Sequence, residues 1–297
     1  MHRWLSSGLA IFLSIVFVGC TNTTTIQQPQ EPVAAEQVAK SVNRVVALTP
    51  LTADIIYQLD KTKIVGISGA SLLNKDSRFQ DIPRVSEGRT PPNLEKIVAL
   101  KPDLVIGAEG FSNEITQKLQ QLKIPTLLTN IKSWESLEEL TKNLAQSINA
   151  DPQPLLKRYQ SFLPNQSYPS PSTLVLVSRQ PISSPNKNSW AGDLLTKFNI
   201  NSLTADLQGK SQFRGYVTLS AEKVLQANPQ TLIVVNPPQG SNTALLDELK
   251  KEPFWRDLQA TKKNRVYVFD YYGLVNPGSI DSIEKACKQL QEIISQG

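Results

Sequence analysis

The chain has 297 residues, of which 40% are hydrophobic and 19% charged, with a formal net charge of +5 spread along its length. That is long enough for two core-forming lobes, and the lack of dense Lys/Arg blocks interleaved with aromatics argues against a nucleic-acid-binding surface. The single histidine, His2, lies in the N-terminal segment that reads as a removed export signal, so the mature chain is expected to build neither a Ser-His-Asp or Cys-His site nor the histidine clusters of zinc and manganese receptors.

At the N-terminus His2 and Arg3 precede an apolar run from Gly8 to Val18, too short to span a bilayer, that ends at Val18-Gly19-Cys20. Residues 1–20 therefore read as an export signal. Its end resembles the lipobox of bacterial lipoproteins, with Phe17 in place of the usual leucine. That resemblance implies lipidation of Cys20 and a stable anchor on the periplasmic or outer face of a bacterial membrane; the alternative is an ordinary signal peptide with a chance cysteine. Cys287 is then the one remaining thiol, so no intramolecular disulfide is expected. Placed between Ile283 and Leu290, it reads as a small buried hydrophobe. Residues 21–43 are polar and aperiodic, a tether spanning roughly 25 Å as a flexible coil.

From Arg44 the pattern changes to short apolar runs alternating with amphipathic segments. Strands are predicted at Val45–Leu48, Ile64–Ile67, Leu104–Ile106 and Thr126–Leu128, and helices at Thr52–Leu59, Leu94–Leu100, Asn113–Leu122 and Ser133–Ile148. The last of these carries Glu135, Glu138 and Glu139 near its positive end. Such alternation predicts an α/β lobe with a mainly parallel sheet over 44–150. Asp151-Pro152 reads as the start of a linking helix over 151–164, about 20 Å long. A second lobe, 165–297, follows a Pro/Ser-rich stretch. Its predicted strands are Thr173–Val177, Thr231–Val235 and Arg265–Phe269, and its helices Gly192–Phe198, Ser220–Ala227, Thr243–Glu248 and Ile280–Ile294.

One internal repeat supports two lobes. Glu95-Lys96-Ile97-Val98 leads, seven residues after the glutamate, to Pro102 and Leu104-Val105-Ile106. In the second half Glu222-Lys223-Val224-Leu225 leads, again seven residues on, to Pro229 and Leu232-Ile233-Val234.

Three groups of residues carry a family resemblance: Arg44-Val45-Val46-Ala47-Leu48-Thr49-Pro50; Pro92-Asn93-Leu94-Glu95-Lys96-Ile97 with Leu100-Lys101-Pro102-Asp103-Leu104-Val105-Ile106; and Phe254-Trp255-Arg256-Asp257-Leu258 with Arg265-Val266-Tyr267. From about Arg44 onward the chain resembles the substrate-binding proteins of iron-siderophore and vitamin B12 ABC importers. The resemblance implies two Rossmann-like lobes with mainly parallel sheets, joined by a single linking helix, with the ligand cleft between them. It also implies that Glu95 and Glu222, one per lobe, dock against arginines of a permease dimer, an arrangement in which rigidly held carboxylates meet guanidinium forks. The plainer alternative is that each glutamate only favours the dipole of its helix.

The same resemblance assigns ligand contacts to Arg89 in Gly88-Arg89-Thr90, Phe111 after a predicted strand end, Trp190, Arg214 and Tyr216 in Phe213-Arg214-Gly215-Tyr216, and the pair Tyr271-Tyr272. Taken singly, each aromatic fits core packing and Arg89 fits a solvated turn; together, on strand-end loops, they fit one pocket. Arg214 stands where some siderophore receptors carry tryptophan, which shifts the expected ligand toward an anionic ferric chelate, citrate-based or catecholate. The expected protein is a monomeric, non-enzymatic receptor without a resident cofactor, which holds its metal only through the chelator. Cobalamin and, below it, haem are the alternatives within the class. A carboxylate hydrolase or a surface scaffold is the alternative outside it.

Overall fold

The computed structural model describes residues 41–88, 90–166, 170–209, 211, 214–237 and 242–295. The predicted export signal, Cys20, nearly all of the predicted tether and Arg89 lie outside the described residues.

In the first half four strands, β1 (Val45–Ala47), β2 (Ile64–Ile67), β3 (Leu104–Ala108) and β4 (Thr126–Thr129), form a parallel sheet in the order β2-β1-β3-β4. Val45 lies opposite both Ile64 and Leu104, so β1 is paired along both edges, and Val45, Val46 and Ala47, which alternate between the two faces, are all fully buried, as an unbroken apolar run requires. The helices here are α1 (Pro50–Asp60), α2 (Ser71–Asn74), α3 (Leu94–Ala99), α4 (Asn113–Gln121) and α5 (Trp134–Ile148), with single 3-10 turns at Lys61–Lys63 and Ser77–Phe79. Local chemistry fixes their starts. The Thr49 hydroxyl accepts the Thr52 N–H at 3.2 Å with Pro50 in the first turn of α1, and Ser133 and Ser136 form a reciprocal capping box at the start of α5. Trp134, Leu137, Leu140, Leu144 and Ile148 then recur at helical spacing and are buried.

The predicted linking helix is shorter than expected: α6 covers Gln153–Gln160, about 12 Å rather than 20. Asp151 accepts the Gln153 N–H at 2.9 Å, as a helix start should. The other end turns early, because the Ser161 hydroxyl donates to the Arg158 carbonyl at 2.7 Å and Leu163, preceding Pro164, is disfavoured from helical geometry.

In the second half β5 (Thr173–Leu176), β9 (Thr231–Asn236) and β10 (Val266–Asp270) form a parallel sheet in the order β10-β9-β5. A smaller antiparallel sheet, which the sequence does not predict, comprises β6 (Ser178–Arg179), β7 (Ile182–Pro185) and β8 (Tyr216–Leu219). Its strands are short, and Pro181 and Pro185 obscure the strand pattern. The helices are α7 (Trp190–Lys197), α8 (Ala221–Ala227), α9 (Asn242–Lys251), α10 (Pro253–Arg256), α11 (Gln259–Lys262), α12 (Tyr271–Leu274) and α13 (Ile280–Ser295). Among the described residues no helix is long and apolar enough to cross a membrane.

The repeat holds down to backbone geometry. Asn93 caps α3 by accepting the Lys96 N–H at 2.9 Å, and Ser220 caps α8 by accepting that of Lys223 at 3.2 Å. Just beyond each helix a residue takes positive φ, 46° at Lys101 and 39° at Asn228, and a buried proline and an inner strand follow.

One apolar cluster runs from Val45, Ala47 and Ile106 of the first sheet, through Leu137 and Tyr159, to Val175, Ile233 and Phe269 of the second. An ionic network reinforces it. Asp54, fully buried on α1, accepts the backbone N–H of Ile280 at 2.8 Å and pairs with Arg78 at 3.0 Å. Burial pushes the Asp54 carboxyl above its ordinary range, opposed by the Ile280 N–H and the Arg78 charge. Arg78 also meets Asp76 at 2.6 Å, and Arg158 on α6 reaches Asp281 at 2.6 Å and Glu284 at 2.7 Å on α13. The C-terminal helix is thus held to both α1 and α6.

Candidate functional site

The strand ends and the hairpin of the second half enclose a cavity of about 730 Å³. Val177, Ser178, Pro181 and Ser183 line it from β6, β7 and their turn; Arg214, Tyr216 and Thr218 from β8 and the residues leading into it; and Tyr271 and Val275 from the chain after β10. Antiparallel pairing sets this wall, since Tyr216 lies opposite Pro185 and Thr218 opposite Ser183. Two smaller cavities adjoin through Tyr271: one of about 390 Å³ against Leu176, Val234 and Leu245, the other of about 270 Å³. The last combines Ser71, Leu72 and Lys75 of the first half with Asn236, Asp270, Tyr272 and Lys285 of the second.

Charge and polarity are unevenly shared among these walls. Arg214 is exposed and has no ion-pair or hydrogen-bond partner among the described residues. Nearby cations are engaged: Arg179 pairs with Glu248 at 2.7 Å, and Lys285 with Asp270 at 2.7 Å. Burial, with Tyr271 close by, pushes the Tyr216 phenol well above its ordinary value, so at neutral pH it remains an uncharged hydroxyl able to donate. Tyr271 and Tyr272 pack edge to face with ring centroids 5.4 Å apart. The helical turn α12 breaks inside, with Tyr272 extended and Gly273 at φ 98°; both tyrosines line the smallest cavity, and Tyr271 alone also reaches the other two. Among the described residues no group of three His, Cys, Asp or Glu side chains is placed to hold a metal ion.

Of the residues singled out from sequence, Arg214, Tyr216 and Tyr271 meet in the large cavity, and Tyr272 stands on the adjoining one. Trp190 does not join them. It is 3% exposed, stacks on Trp134 at 6.1 Å and 13°, and donates its indole N–H to the Gly273 carbonyl at 2.8 Å. Phe111 lies beyond the end of β3 in the first half with 91% of its surface exposed, and Arg89 is outside the described residues. The sequence reading missed Val177, Pro181, Thr218 and Val275 on the cavity wall. The only signal for them was the turn residue Pro181 between two short polar segments. Glu95 and Glu222 are both exposed at the second position of α3 and α8, clear of the three cavities.

An α/β scaffold whose strand ends surround a concave, arginine- and tyrosine-walled cavity is the architecture of a small-molecule receptor. The chain belongs to the periplasmic binding protein family, whose model matches residues 45–272. It is 23% identical to an uncharacterized ABC transporter substrate-binding lipoprotein of Bacillus subtilis, over 78% of this chain and 74% of that protein. It is 26% identical to the Fe(3+) dicitrate-binding periplasmic protein of Escherichia coli (90% and 87% covered) and 25% identical to the vitamin B12-binding protein of Salmonella typhi (84% and 91%). The fold matches the crystal structure of a possible iron-binding (periplasmic solute-binding) protein from Staphylococcus epidermidis. That match has a TM-score of 0.70 at 19% identity and covers 86% of this chain and 99% of that one.

Proposed function

We propose that this protein captures an anionic ferric chelate of the siderophore or citrate type and delivers it to the permease of an ABC importer, carried at the membrane surface by lipid on Cys20. The observation that carries the reading is the arrangement around the large cavity: an arginine without a partner among the described residues, the half-buried phenol of Tyr216 and a second tyrosine. Such a wall suits a chelate whose metal-bound oxygens bear negative charge, because guanidinium supplies charge and directed donors while the rings supply flat contact area. The family resemblance adds Arg89 as a second cationic contact for the ligand, and Glu95 and Glu222 are the docking carboxylates. No bond is broken in this cycle, and the named relatives are binding proteins.

Titration of the purified protein with ferric citrate, ferric catecholate and cyanocobalamin, followed by tryptophan fluorescence, tests the reading. A saturable response to a ferric complex, weakened more than tenfold in Arg214→Ala, is expected. Saturation by cyanocobalamin with no response to the iron complexes would favour the cobalamin alternative, and unchanged affinity in both Arg214→Ala and Arg89→Ala would remove the anionic-chelate assignment.

A further inference from the structure

We propose that Val98 and Leu225 are apolar anchors of the surface that meets the permease, and that the partner offers the same apolar socket twice, each beside a cationic side chain. This rests on the reading of Glu95 and Glu222 as docking carboxylates and adds the contacts beside them. Val98 is 38% exposed and Leu225 47%, each three residues after the exposed glutamate of its own helix and so on the same helical face. Neither is needed inside. The inward positions of the two helices are filled by Ile97 and Val224, exposed to 0% and 1%.

A single exposed valine or leucine means nothing, since much of any protein surface is apolar. Here the pair falls at one equivalent position of two duplicated segments that also share a side-chain-capped start, a positive-φ position, a buried proline and an inner strand. The half-exposed apolar residue follows the carboxylate in both copies, whereas the cap itself has changed from Asn93 to Ser220. A charged rim beside an apolar centre is the composition of a protein interface. Two copies of one patch on a single chain fit a partner built from two copies of one surface, which a two-fold permease dimer presents. The carboxylates require lysine or arginine opposite.

The test uses the full chain in its native membranes, carrying a photo-reactive amino acid at position 98 or position 225. A third probe at Leu122, which is 52% exposed and outside the repeat, is the control. Both repeat positions are expected to crosslink to the same stretch of the same membrane-spanning polypeptide, and the control is not. The double variant Val98→Ser/Leu225→Ser is expected to keep its melting temperature and ferric-chelate titration while recovering at least tenfold less of that polypeptide. Adducts to a second copy of this chain, or equal crosslinking from position 122, overturn the proposal. If Glu95→Gln/Glu222→Gln loses the permease and the serine variant does not, the docking reading stands and the anchors fall. If neither variant loses it, both readings fall.

Discussion

The indole of Trp190 donates a 2.8 Å hydrogen bond to the carbonyl of Gly273, joining α7 to the turn that carries Tyr271 and Tyr272. The tryptophan expected against the ligand is instead a support for the tyrosines that face the cavities. Its stacking on Trp134 ties the turn in addition to α5.

Trp190→Phe keeps a ring in the stack but removes the donor from a buried carbonyl. A loss of about 1–3 kcal/mol is expected, read as a lower melting temperature together with a few-fold weaker ferric-chelate titration. Weakened binding at an unchanged melting temperature would mean that the indole touches ligand directly.

Gly273 sits at φ 98°, and a side chain there would place its Cβ 2.1 Å from the Ser282 carbonyl. Gly273→Ala must therefore displace the turn or the start of α13. Chelate binding is expected to fall at least tenfold, with destabilisation of about 1–3 kcal/mol. A variant with parent-like affinity and melting temperature would show that the turn's geometry does not matter to the cavity.

Hydrogen bonds from Arg78 hold the Asp76 carboxyl below its ordinary value of 3.8. Its contribution to stability is therefore complete above 3.8 and disappears as pH falls through the folded value. Asp54 has the opposite sign: burial raises its value, so its contribution is fully present below 3.8 and is lost as pH rises through the folded value. Asp76→Asn is expected to destabilise the protein near neutrality by about 1 kcal/mol or less, as befits a partly exposed pair. Its urea midpoint should converge on that of the parent in acid. A gap that stays constant across the acid range would show that the Asp76 charge contributes nothing.

Cys287 is fully buried on α13, and burial, with Glu284 nearby, pushes its thiol up to about 12. In the folded protein it should resist iodoacetamide at pH 8 and react promptly once urea unfolds the chain. Rapid labelling without denaturant would show that α13 detaches under native conditions.

Most of the framework was legible because its signals are local. Ile64–Ile67 appears as predicted, α5 starts one residue inside the predicted Ser133–Ile148, and Ile280 opens the last helix. The repeat was equally visible, because a helix, a proline and an apolar run at fixed spacing leave a strong trace. The hairpin of β6 and β7 was not: each strand is only two to four residues long, and its pairing depends on contact with β8 some thirty residues away. The length of α6 was overestimated because Asp151-Pro152 and Pro164 mark outer limits, while the Ser161 side chain ends the helix inside them.

The site was half legible for the same reason. Arg214, Tyr216 and Tyr271 could be listed as members of strand-end loops, but it takes the antiparallel sheet, invisible in sequence, to bring Arg214 and Tyr216 into one cavity with the Tyr271 that follows β10. Trp190 was misplaced because an aromatic at the head of a helix looks alike whether it turns outward or inward. Its direction is decided by Trp134, 56 residues earlier, and Gly273, 83 residues later.

The contact between Asp54 and the Ile280 backbone bridges 226 positions of sequence. A polypeptide that appears from its beginning holds this acid in an unfinished interior until nearly the last residues arrive, so the first α/β half reaches its final form only when the tail docks.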